Sequence, residues 1–201
     1  HVALLEDLDF TDIVVSLKAS DVARTVAACR MFARDCPYPI HLGVTEAGTR
    51  RGGTVKSAIA LGTLLLEGIG DTIRISLAED PVEEVHVAWE ILGAIGLRHR
   101  GVTLTACPAC ARASFDLVAW TRKIETVTQN ARHPWRIAVM GCVVNGPGEA
   151  READLGIVGG RENFALYRKG RLVRRVASDE LLDVVREEVA RLDQEREERE
   201  S

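Results

Sequence analysis

Three times in its first hundred residues the chain repeats one order of events: a short apolar run, a polar or glycine-bearing turn, then a segment with apolar residues at helical spacing. "TDIVVSLKASD" leads into a helical pattern over residues 21–35, "YPIHLGVTEAG" into one over 54–67, and "DTIRISLAEDP" into one over 82–95. Pro81 suits a first helical position, where its missing N–H costs no intrahelical bond. Such alternation predicts a parallel sheet covered by helices. Three such units cannot close an eight-stranded barrel, which takes about 250 residues.

The second half changes character. "GVTLTAC" and "WRIAVMGC" read as strands that each end at a cysteine, separated by a helix over residues 115–130. "ADLGIVGG", "NFALYRKG" and "RLVRRVA" read as further short strands, with Lys169 and Gly170 supplying hairpin-turn chemistry,. Ser178 is expected to cap a final helix with Asp179 and Glu180 in its first turn, where the helix dipole favours acids. Leu181, Val185, Val189 and Leu192 keep helical spacing, and "DQEREERES" is expected to be a solvated helix end that frays,. The two patterns meet in "GLRHRG", so two domains are expected, residues 1–98 and 99–201.

Bulk properties narrow the partners. A formal net charge of -4 argues against nucleic acid, which calls for a basic excess,. The longest apolar run, "AIALGTLLLEGIG", is bounded by Lys56 and broken by Glu67. That is short of the roughly 20 residues a membrane span requires, so no membrane partner is expected. No charged-then-apolar leader opens the sequence, which makes a cytoplasmic location the expectation. The chain starts at His1 on what reads as the end of a helix, as a piece of a longer protein would.

Five cysteines are an odd number for a disulfide framework, and metal or redox chemistry explains them better,. Cys29 and Cys36 lack partners at ligand spacing and are expected to pack as small hydrophobes. Cys107 and Cys110 stand at C-x-x-C spacing after a strand and can aim both sulfurs at one centre, with Pro108 opposing helix continuation. Cys142, at the end of a second strand, supplies a third thiolate. A closed all-cysteine site is not available in this half, so the fourth ligand is His99, His133, solvent or Glu149 at the end of "NGPGE",. Gly146, Pro147 and Gly148 are expected to keep that loop out of a regular helix and to let backbone amides approach a bulky group. A carboxylate there would be a hard oxygen ligand on a soft centre, hence exchangeable. A zinc-stabilised binding module with a histidine ligand is the alternative.

"ACPAC" and "GCVVNGPGEA", together with "VSLKASDV", "HLGVTEAG", "VKSAIALG", "GDTIRISLAEDPVEEV" and "LGIVGG", resemble the 4-hydroxy-3-methylbut-2-enyl diphosphate synthases. These are iron-sulfur enzymes of the methylerythritol phosphate route to isoprenoids. The resemblance covers nearly the whole chain. It implies an α/β fold: the last three βα units of a TIM-type barrel, then a smaller α+β iron-sulfur domain like the cluster domain of sulfite reductase. It implies a 4Fe-4S cluster on Cys107, Cys110, Cys142 and Glu149. The implied reaction is reductive ring opening and dehydroxylation of 2-C-methyl-D-erythritol 2,4-cyclodiphosphate, with electrons from a flavodoxin or ferredoxin. A homodimer is implied too, because in the family the cluster domain closes over a partner's barrel.

The resemblance also gives meaning to polar residues at the C-terminal ends of the barrel strands. Lys18, Arg74 and Ser76 match positions that bind the cyclic diphosphate. Glu46 matches an acid able to protonate the departing hydroxyl, and Asn145 a loop residue that reaches the substrate beside the cluster. Glu149, as the exchangeable ligand, joins Glu46 as a catalytic residue. Without the resemblance, Lys18 and Arg74 read equally well as surface charges. Arg50 and Arg51 receive no role.

Overall fold

The computed structural model describes residues 1–108, 110, 113–142, 146–160 and 163–200. The chain divides into two compact units, His1–Arg98 and His99–Ser201.

In the first unit a short helix, α1 (Val2–Glu6), is followed by α2 (Val22–Asp35), β1 (His41–Gly43), α3 (Arg50–Leu66), β2 (Thr72–Arg74) and α4 (Pro81–Ala94). Two helices start where a carboxylate takes up an otherwise unpaired amide. Asp21 accepts from Arg24 N at 2.7 Å, and Asp80 from Val82 N at 2.8 Å with Pro81 in the first helical position,. Helix α3 starts at Arg50 rather than at residue 54, taking in Gly52 and Gly53. Gly53 fits because its N–H bonds Thr49 O at 2.7 Å and because a side chain there would run into Leu77.

Strands β1 and β2 pair in parallel, with His41 opposite Thr72 and Gly43 opposite Arg74. The first apolar run contributes a single parallel bridge, Val15 to Ile40, rather than a full strand. Alternation then separates two faces. Ile40, Leu42, Val44 and Ile75 are buried with Val26, Leu61, Leu64 and Val87 of the helices. Each large side chain so buried contributes about 1.5–3 kcal/mol. The other strand face carries Ser16, Lys18, His41, Thr72 and Arg74. Cys29 lies inside α2, wholly buried, and its Sγ donates to Leu17 O at 3.6 Å, while Cys36 caps the same helix.

In the second unit β3 (Thr103–Ala106), β4 (Arg136–Met140) and β5 (Leu155–Gly159) are parallel, and β6 (Asn163–Arg168) and β7 (Arg171–Ala177) continue the sheet antiparallel in the order β3-β4-β5-β6-β7. Lys169 and Gly170, with φ of 46° and 75°, make the turn between β6 and β7, as a two-residue hairpin with left-handed residues requires,. Ile137, Val139, Leu155, Ile157, Phe164 and Leu166 meet α5 (Leu117–Thr128) and α7 (Leu181–Glu200). Ala138, Met140 and Val158 meet α6 (Gly146–Glu152) on the other face. Covered on both sides, β5 is buried along its whole length.

Two expectations are corrected. Gly146 and Pro147 open α6 instead of preventing a helix, because the first turn of a helix has no intrahelical partner for its amides and tolerates proline,. The acidic tail remains helical to Glu200, supported by the pairs Arg191–Glu195 at 3.3 Å and Arg196–Glu200 at 2.8 Å across single turns,. Ser178 lies in a turn three residues ahead of α7. Among the described residues no helix is long and apolar enough to cross a membrane.

Candidate functional site

The polar strand face of the first unit owes its shape to Gly43. A Cβ at this position would stand 2.9 Å from Arg74 O and 3.1 Å from Lys18 Cε, so the Lys18 stem lies in the space a side chain would take. Lys18, from the segment that follows the Val15 bridge, and Arg74, from β2, thus flank Gly43. Among the described residues neither makes an ion pair, and Arg74 Nη2 donates to Ser76 Oγ at 3.0 Å. Burial, then the neighbouring Arg74 charge, lowers the Lys18 pKa. Two cations close together, with no carboxylate paired to either among the described residues, leave a local excess of positive charge,.

Beyond this row Thr45, Glu46, Gly48, Arg74, Ser76 and Leu77 line an open cleft of about 410 Å³. Glu46 is exposed in the turn after β1 with φ of 52°, a left-handed conformation that a non-glycine residue adopts at a cost,. The structure therefore brings Glu46, Arg74 and Ser76 to one cleft and sets Lys18 beside Arg74. Arg50 is occupied elsewhere, 3.1 Å from Glu83. Period-2 alternation in "IHLGV" and "TIRIS" would have pointed to His41, Gly43 and Thr72, which motif reading passed over.

In the second unit the parallel register of β3 and β4, with Ala106 opposite Val139, brings Cys107 and Cys142 to the same end of the sheet. Gly141 N donates to Cys107 Sγ at 3.3 Å, and Gly141 O accepts from Ser114 N at 2.9 Å and Ser114 Oγ at 3.2 Å. A side chain at position 141 would press on Ala113 at 3.2 Å, so glycine lets this turn pack closely beside Ala113. Cys110 and Glu149 are exposed, the latter in the first turn of α6. Asn145 lies outside the described residues.

Among the described residues no three of His, Cys, Asp and Glu stand close enough to hold a metal ion. The donor set, soft thiols with a backbone amide already aimed at one sulfur, fits a thiolate-bound group, while its side chains are not gathered in this conformation. Both histidine candidates fall away. His133 precedes β4 and packs edge-on against Trp135 with ring centroids 5.8 Å apart, whereas Cys142 follows β4. A five-residue strand separates them by about 17 Å, and His99 stands before β3 in the same way,.

A further cleft of about 780 Å³ lies at the opposite end of the sheet from the cysteines, near Trp135, Arg168 and Arg196. Its arginines are partly neutralised, Arg168 by Glu195 at 2.7 Å and Arg196 by Glu200.

A barrel-type βα unit with Lys18 and Arg74 on its open strand face, carried on one chain with a mixed sheet that bears cysteines at its strand ends, defines the class as an α/β protein of two units. Residues 1–89 match the GcpE TIM-barrel domain and residues 103–191 the GcpE protein C-terminal domain, and the chain belongs to the GcpE family. It is 58% identical over 190 residues to the 4-hydroxy-3-methylbut-2-en-1-yl diphosphate synthase (flavodoxin) of Lawsonia intracellularis, covering 94% of this chain and 53% of that protein. Proteins of the same name from Nitratidesulfovibrio vulgaris and Geobacillus thermodenitrificans are 53% and 50% identical, over 88% and 97% of this chain and 46% and 52% of theirs. The chain spans about half the length of the curated relatives it matches.

Proposed function

We propose that this chain is the C-terminal part of a flavodoxin- or ferredoxin-dependent oxidoreductase that converts 2-C-methyl-D-erythritol 2,4-cyclodiphosphate to 4-hydroxy-3-methylbut-2-enyl diphosphate, as a cytoplasmic homodimer. The observation that carries this reading is the row of Lys18, Gly43 and Arg74, two cations without an ion pair among the described residues, on the strand face of a chain more than half identical to a diphosphate synthase. On this reading the second unit is a cluster domain of the sulfite reductase type. Cys107, Cys110, Cys142 and Glu149 would hold a 4Fe-4S cluster, which supplies electrons when bound. Their separation in this conformation fits a site that assembles with its metal.

The chain's own residues do the remaining work. Lys18 and Arg74 hold the diphosphate by charge-assisted hydrogen bonds, and Ser76, already bonded to Arg74, fixes the guanidinium,. As two electrons enter and the ring C–O bond breaks, the Glu46 carboxyl at the lip of the cleft gives its proton to the departing hydroxyl, which leaves as water. Asn145 completes the contacts to substrate.

Anaerobic reconstitution with iron and sulfide tests the reading. A brown protein with about four irons per chain is expected, lost in Cys107→Ser and Cys142→Ser. Colourless protein retaining about one zinc per chain would refute it in favour of a closed structural site. The chain alone is expected to show little turnover, since it spans only half of its relatives, and product formation at the rate of a complete synthase would overturn that expectation.

A further inference from the structure

The polar strand face is built in rows. The bridge from Val15 to Ile40 and the pairing of His41 with Thr72 set Ser16, His41 and Thr72 side by side. Two residues further along each strand come Lys18, Gly43 and Arg74. His41 is thus the centre of the row beneath the cation pair, about 7 Å away along the strand.

Its ring is held on one side by Thr72, and its backbone on the other by Ser16. Nδ1 lies 2.7 Å from Thr72 Oγ1, and the His41 carbonyl accepts from Ser16 Oγ at 3.2 Å. The charged groups facing it are Lys18, from the segment leading into α2, and Arg74, from β2; the helices cover the opposite strand face, and Glu46 lies beyond the cation row. Among the described residues no carboxylate pairs with His41, Lys18 or Arg74. Burial first, then the Lys18 and Arg74 charges, pushes the imidazole pKa down and so disfavours the charged ring.

We propose that His41 is a proton-coupled positioning residue of the anion site: when a diphosphate group settles on Lys18 and Arg74, the ring takes up one proton from solvent and places a third positive charge beneath the anion. This rests on reading Lys18 and Arg74 as the diphosphate site. The bound anion cancels the field that opposes protonation, and the imidazolium offers both ring nitrogens as donors, Nδ1 toward Thr72 Oγ1,.

The test is titration calorimetry of the whole chain with inorganic diphosphate between pH 6 and pH 8, in pairs of buffers of different ionisation enthalpy. Diphosphate carries its own protonation into every protein alike, so the difference between wild type and His41→Gln isolates the ring. Wild-type affinity is expected to rise about three- to tenfold more than that of His41→Gln as pH falls from 8 to 6, with the extra proton uptake confined to the wild type. The His41 ring followed by NMR in the wild type, without any substitution, should titrate at higher pH with diphosphate than without. Equal proton uptake in the two proteins, or a ring midpoint that stays put, overturns the role of His41 and leaves the anion site standing. Failure of the wild type to bind diphosphate, or equal binding by Lys18→Ala, removes the anion site itself and this proposal with it.

Discussion

Replacing Gly43 by alanine isolates the contact on which the anion site depends. No positive φ is recorded at this position, so alanine meets no backbone penalty and the effect is steric. The new Cβ would stand 2.9 Å from the backbone oxygen of Arg74 and 3.1 Å from Lys18 Cε, several tenths of an ångström closer than ordinary contact. The oxygen belongs to the neighbouring strand and can yield only by shifting β2, whereas Lys18 can swing away. Overpacking of this kind costs about 1–3 kcal/mol. In a unit of about one hundred residues, each kcal/mol lowers Tm by roughly 4–8 °C. A fall of roughly 4–24 °C is therefore expected in a thermal melt followed by circular dichroism. Displacement of Lys18 adds a second effect, a loss of diphosphate affinity of about tenfold by calorimetry, since one charge-assisted contact is worth about 1.5 kcal/mol or more. A Gly43→Ala protein with wild-type Tm and wild-type diphosphate affinity would refute both the close approach and its role.

Gly156→Ala would bring a Cβ to 2.9 Å from Ala150 Cα, forcing α6 off β5; a loss of about 1–3 kcal/mol in urea unfolding is expected, and iron uptake should fall because Glu149 moves with Ala150. Iron uptake unchanged despite lower stability would count against Glu149 as a ligand. Glu188, only 5% exposed on α7, lies 3.9 Å from Arg168 Nε and 3.8 Å from Arg174 Nη2. Glu188→Ala should cost about 2 kcal/mol, less than full orphaning of a buried pair because both arginines keep a second carboxylate, and a cost near zero in denaturant melts would show that the pairs contribute nothing. His41 has its pKa lowered from 6.5 in the folded chain, so the unfolded chain binds its proton first as pH falls,. The stability tied to the neutral ring is complete above pH 6.5 and is lost as pH falls through the folded value. Urea midpoints of wild type should decline more steeply than those of His41→Gln from pH 8 to pH 5, and parallel declines would exclude the linkage.

Much of this protein is written locally. The βα alternation, the Asp80–Pro81 helix start and the Lys169–Gly170 hairpin each depend on residues close in sequence, so pattern alone predicts the parallel strand pair of the first unit and the antiparallel extension of the second. The family motifs likewise carry Glu46, Arg74, Ser76 and the cysteines without any coordinates. Where neighbours from afar decide, pattern fails: α6 forms through Gly146 and Pro147 because Ala150 and Ala153 find a face of the sheet to pack on. Only tertiary structure shows that Gly43 makes room for Lys18 beside Arg74, that His41 lies in the row beneath them, and that His133 is a strand's length from Cys142. Those facts depend on strand register, which sums contacts between residues thirty positions apart, and no local spacing in the sequence encodes that sum.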